Sequence, residues 1–157
     1  MKTFGFLALI FLTTLIGCES STDHGANDSQ TSASTKSNGV YFSLTLPAAN
    51  FKLTDTLTGV FKVINESDSV RQFEFANLQQ HGFQLTDIYG RVALNYPVIF
   101  LPAQSKLSLE PDERKEYSIH SPFRDFKGEL IETGKYKMSA FLLNNNSPQV
   151  ILNIEVR

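Results

Sequence analysis

One thiol and three imidazoles set the range of chemistry open to this chain. Cys18 is the only cysteine among 157 residues, which rules out a disulfide within one chain and leaves a thiol nucleophile or a modified thiol. The histidines stand at 24, 81 and 120, too far apart to write a local metal motif such as H-E-x-x-H. His24 sits in a Ser/Thr-rich stretch without a second ligand at useful spacing and reads as solvated filler. His81, after Gln79-Gln80, and His120, before Ser121-Pro122, read as surface loop residues. The carboxylates of Asp125, Glu129 and Glu132 could meet a calcium ion, yet they lack the regular spacing of a calcium loop. Asp112-Glu113-Arg114-Lys115-Glu116 is a mixed charge run that reads as a solvated turn and edge. There is no G-x-S-x-G and no phosphate-cradling glycine loop. These residues spell out no catalytic centre, no metal site and no cofactor, so an enzyme is the least favoured reading.

What precedes Cys18 explains the thiol better. Lys2 supplies a positive start, and Phe4 to Leu15 form a greasy run of about 12 to 14 residues, shorter than the roughly 20 that a spanning helix needs. Leu15-Ile16-Gly17-Cys18 then resembles the lipobox of bacterial lipoproteins. Gly17 keeps the cleavage position small, and the Cys18 thiol is the one side chain there able to form a thioether with a diacylglycerol. The resemblance implies a signal peptide over residues 1–17, lipidation at Cys18, palmitate-type acylation and a membrane partner reached through the lipid. Two or three acyl chains hold firmly where one binds only marginally, since each buried methylene contributes about 0.8 kcal/mol. Glu19 follows, rather than the Asp that retains enterobacterial lipoproteins at the inner membrane. The same resemblance therefore implies an outer membrane, facing the periplasm, in a host with two membranes.

Residues 18–38 contain no aromatic or branched aliphatic side chain after the cysteine and read as a disordered tether. A flexible chain of about 20 residues has a root-mean-square span of roughly 25 Å. The formal charge of -2 produces no strong field of either sign and argues against nucleic acid as a partner.

From residue 39 to 157 the pattern turns to short alternating runs, and thirteen Phe and five Tyr against no Trp and two Met favour strands over helices. Val40, Phe42, Leu44 and Leu46 share one face of a half-buried strand. Leu57, Gly59, Phe61 and Val63 alternate likewise, while Val60 and Ile64 on the other face predict a central strand covered on both sides at least in part. Asn65 to Ser69 reads as a turn. Further runs follow at Val70 to Phe75, Gly82 to Ile88, Val92 to Leu94, Val98 to Leu101, Lys106 to Leu109 and Tyr117 to Ile119. The longest irregular stretch is Ser121 to Thr133. Tyr136, Met138, Ala140 and Leu142 then share a face, and Val150, Leu152, Ile154 and Val156 close the chain. About seven to nine short strands predict an all-β, immunoglobulin-like antiparallel sandwich, in which Tyr136 occupies the place of a corner tyrosine.

Several segments of this region are similar to the BsuPI-like domains, a family named for an intracellular proteinase inhibitor. They are Val63 to Asp68, the unit Phe83-Gln84-Leu85-Thr86-Asp87-Ile88-Tyr89-Gly90-Arg91-Val92, Leu109 to Glu113, and Gly134-Lys135-Tyr136. No Trp follows Gly90 where the family tends to carry one, and Asp112 stands where it usually has Gly. The resemblance implies a noncatalytic binding domain that inhibits a protease, with Ser121 to Thr133 or Pro97 to Gln104 as the presented segment. The alternative is a structural or accessory subunit of a cell-envelope assembly, pairing through a strand edge.

Overall fold

The structure is a computed structural model, and it describes residues 30–157. Eleven strands and no helix appear among the described residues. They are β1 (Thr31–Ser37), β2 (Val40–Leu46), β3 (Asn50–Phe51), β4 (Thr56–Asn65), β5 (Arg71–Phe75), β6 (His81–Asp87), β7 (Val92–Tyr96), β8 (Ser105–Leu109), β9 (Arg114–Pro122), β10 (Gly134–Leu142) and β11 (Val150–Val156). Two large sheets carry the fold, β1-β2-β4-β9 and β3-β11-β10-β6-β7, with a small β5-β8 ribbon beside them. Every pairing is antiparallel except the short β3-β11 contact. The expected signal peptide, Cys18 and His24 lie outside the described residues.

Alternation in the sequence becomes burial here. Phe42, Leu44 and Leu46 of β2 point into one core with Leu57, Phe61 and Val63 of β4 and with Met138, Ala140, Leu142, Leu152 and Ile154 of the facing sheet. Removing such side chains from water contributes about 1.5–3 kcal/mol each. Gly59 in β4 is required by close approach: an added Cβ would lie 2.5 Å from Leu46 Cδ2 and 2.8 Å from the Thr45 carbonyl.

Two expectations are corrected. Within the stretch expected to be a disordered tether to Asn38, Thr31–Ser37 is a strand that pairs residue for residue with Val40–Leu46. Asn38 and Gly39, with φ of 50° and 75°, make the positive-φ turn that closes a two-residue hairpin, so a strand whose one apolar side chain is Ala33 is held mainly by its ladder. Val98 to Leu101 forms no strand and all four side chains are exposed. β4 is central in its sheet, as expected, and its outer face is covered in part, with Thr58, Lys62 and Ile64 half-buried and Val60 37% exposed.

The registers define two ends. At one end lie Thr31, Leu46, Thr56 and Pro122 of the first sheet and Asp87, Gly134 and Val156 of the second. At the opposite end lie Ser37, Val40, Asn65 and Arg114, with His81, Tyr96 and Leu142. The chain enters the fold at Thr31 on the first of these ends, and residues 97–104 leave β7 on the second.

Candidate functional site

The far end is built on a run of aromatic rings that climbs out of the core. Phe42 stacks on Phe61 at 6.4 Å, Phe61 on Tyr117 at 6.2 Å, and Tyr117 on His81 at 4.5 Å. His81 in turn lies 5.4 Å from Tyr96, which stacks on Phe83 at 5.2 Å. Alternation places these rings on facing positions of β2, β4, β9, β6 and β7, and such contacts contribute about 0.5–1.5 kcal/mol each beyond area burial. The Tyr117 hydroxyl donates to Gln80 Oε1 at 3.0 Å, and burial pushes its pKa up to about 12. His81 opens β6 and is half-buried, not a surface loop residue, and burial pushes its imidazole below the ordinary value. Its ring lies in the aromatic stack, with Nε2 unpartnered among the described residues.

From Tyr96 the chain runs into a bare apolar segment. Pro97 is buried, whereas Val98, Ile99, Phe100 and Leu101 are 57%, 76%, 51% and 51% exposed. Both flanks are pinned. Asn95 Nδ2 donates to the Pro97 carbonyl at 3.3 Å. The Leu101 N–H donates to Gln79 Oε1 at 3.0 Å, and its carbonyl accepts from the N–H groups of Leu78 and Ala103 at 3.3 and 2.8 Å. Leu78, itself exposed, extends the apolar surface sideways. Alternation read Val98 to Leu101 as a strand because isolated apolar runs look alike whether buried or displayed. The signal that could have separated them is the pair of flanking prolines, which removes two ladder donors.

The remaining candidates do not converge. His120 lies in β9 with its side chain exposed, rather than in a loop. Asp125 Oδ1 accepts the N–H groups of Lys127 and Glu129 at 2.8 and 2.9 Å, so this carboxylate shapes a turn closed by the Arg124–Leu130 bridge. Glu129 and Glu132 are exposed, and no group of three His, Cys, Asp or Glu able to hold a metal occurs among the described residues. No helix among them is long and apolar enough to cross a membrane. A depression of about 470 Å³, open to solvent, lies at the opposite end among Ala49, Ile88, Lys135, Tyr136 and Ile154.

Two residues matter more than their sequence context indicates. Asn65 is fully buried; its amide nitrogen donates to the carbonyls of Ser69 and Leu109 at 2.8 and 2.9 Å, and its Oδ1 accepts from Ser67 N–H and hydroxyl. Tyr136 donates its hydroxyl to the Glu132 carbonyl four residues upstream, the bond expected of a corner tyrosine.

Comparison with solved structures finds weak likeness to much larger proteins. A β-glucosidase from Listeria innocua in complex with gluconolactone matches at 16% identity and TM-score 0.42, over 82% of this chain and 16% of that one. The β-glucosidase EmGH1 from Erythrobacter marinus matches at 18% identity and TM-score 0.47, over 82% and 16%. The CARDB domain of the PF1109 protein from Pyrococcus furiosus, in complex with di-metal ions, gives 15% identity and TM-score 0.38, over 69% and 84%. The chain thus spans only 16% of the length of the glucosidases it matches. No curated protein matches it. The family comparison is of another order: the pattern described as BsuPI, Intracellular proteinase inhibitor, matches residues 44–147, from within β2 through β10 and including the aromatic run from Phe61 outward with its displayed segment. The chain belongs to the BsuPI intracellular proteinase inhibitor family.

Proposed function

We propose that this protein is a noncatalytic proteinase inhibitor held at a membrane surface by lipid on Cys18. Family membership over residues 44–147 carries the inhibitor reading. A pinned apolar segment on the described surface supports it, with His81 engaged in stacking and Asp125 in shaping a turn. The family description refers to an inhibitor inside the cell. The leader and Leu15-Ile16-Gly17-Cys18 of this chain support the same domain used outside the cytoplasm, where proteases of the envelope and its surroundings are the partners.

Two experiments separate the halves of this reading. The full chain, purified in mild detergent, is assayed against serine, cysteine, aspartic and metallo-endopeptidases; inhibition of at least one class at micromolar concentration is expected, and inhibition of none contradicts the inhibitor reading. Metabolic labelling with a palmitate analogue tests the anchor. The wild-type chain should take up label and Cys18→Ser should not, and equal labelling of the two contradicts lipidation.

A further inference from the structure

We propose that Val98-Ile99-Phe100 is the segment that enters the protease, with Phe100 filling the primary specificity pocket of a serine endopeptidase that prefers large aromatic or apolar side chains. This rests on the inhibitor reading above and assigns it a site. An endopeptidase cleft binds an extended stretch of backbone by strand-like hydrogen bonds and reads alternate side chains in pockets. A segment suited to that cleft must expose its side chains, leave its backbone groups unpaired and hold its shape before binding.

Residues 98–100 meet each condition. Their side chains are exposed, and their backbone groups make no hydrogen bond among the described residues. On either side the chain is fixed, at Pro97 by Asn95 and at Leu101 by Leu78, Gln79 and Ala103. Pro97 and Pro102 further limit the conformations open to the segment. A loop held this way loses little conformational entropy on docking, which favours tight binding. Tyr96, on the aromatic stack, ties the base of the segment to the core. Leu78 continues the apolar surface beyond the pocket residues, as an interface larger than a single loop requires.

The other expected segment, Ser121 to Thr133, fits poorly. Phe123 and Ile131 are buried, the backbone is paired from Phe123 to Ile131 and from Asp125 to Glu129, and Lys127 Nζ lies 5.7 Å from the centre of the Phe126 ring. It also sits at the end where the chain enters at Thr31, whereas residues 98–100 sit at the opposite end. A domain tethered through its amino-terminal side therefore holds Phe100 away from the anchoring surface.

The test compares the full chain with Phe100→Arg, Phe100→Ala and Phe126→Ala against chymotrypsin, subtilisin and trypsin. Wild type and Phe126→Ala should inhibit chymotrypsin or subtilisin alike. Phe100→Ala should weaken that inhibition at least about tenfold, which corresponds to about 1.4 kcal/mol, and Phe100→Arg should shift inhibition toward trypsin. Unchanged thermal midpoints show that the exposed substitutions leave the fold intact. Wild-type inhibition undiminished in both Phe100 variants overturns this assignment while leaving the inhibitor reading in place; absence of inhibition by wild type toward every class of endopeptidase overturns the inhibitor reading itself.

Discussion

Asn65 reaches across 44 residues of sequence to hold the Leu109 carbonyl at 2.9 Å, fastening the end of β4 to the end of β8. The same side chain ties down the loop through Ser67 and Ser69, and its own backbone pairs with Asp112 and Glu113. Replacing it with Ala takes the side-chain donor from the buried Leu109 carbonyl and frees the Ser67 loop. Asn65→Ala should lower unfolding free energy by about 2–3 kcal/mol, measured by urea titration; a loss within error of zero contradicts this role.

Gly82 sits beneath the displayed segment. A Cβ there would lie 2.9 Å from both the Tyr96 carbonyl and Phe141 Cε2, and the backbone carbonyl cannot swing away as a flexible side chain would. Gly82→Ala should destabilise the domain by about 1–3 kcal/mol, read as a lower midpoint in thermal unfolding.

His81 makes stability depend on pH. Burial lowers its folded-state pKa from the usual 6.5, while the unfolded chain keeps the usual value. Between these two values the unfolded state binds more protons, so stability is full above about pH 6.5 and falls as the pH drops through that window toward the lowered folded value. The rings of Tyr96 and Tyr117 that face it supply no countercharge. Unfolding midpoints measured from pH 7.5 to 5.5 should fall more steeply for wild type than for His81→Phe.

The β1-β2 hairpin depends on its turn. Gly39 has φ of 75°, and an added Cβ would lie 2.9 Å from the Ser67 Cβ. Gly39→Ala should cost about 1–2 kcal/mol and speed amide exchange in Thr31–Ser37; unchanged exchange there contradicts the pairing.

Tyr136→Phe removes only the bond to the Glu132 carbonyl. A loss of about 1 kcal/mol is expected, with protease inhibition unchanged, because this residue lies at the end opposite Phe100.

Much of this architecture was legible in period-2 patterning. Val40 to Leu46, Tyr136 to Leu142 and Val150 to Val156 each bury the face that alternation assigns them. β1 escaped because its residues are Thr, Ser, Ala and Lys, whose place is set by backbone pairing rather than burial; the readable sign was Asn38-Gly39, a strong two-residue hairpin signal. Asn65 looked like a turn residue, since the acceptors that bury it lie as far away in sequence as Leu109. Asp112 has φ of 62°, a left-handed conformation Asp tolerates better than most residues. For the candidate site, the sequence marked Pro97 to Gln104 and Ser121 to Thr133 equally. Only tertiary pairing distinguishes the open segment from the closed one.

The most direct test titrates a fixed amount of chymotrypsin or subtilisin with the full chain, following residual activity on a small substrate and the integrity of the chain by mass. Activity should fall to zero as one chain binds each enzyme, at about micromolar affinity or tighter, with Phe100 still joined to Leu101. Steady consumption of the chain with enzyme activity restored would contradict the account, as would undiminished activity at saturating chain.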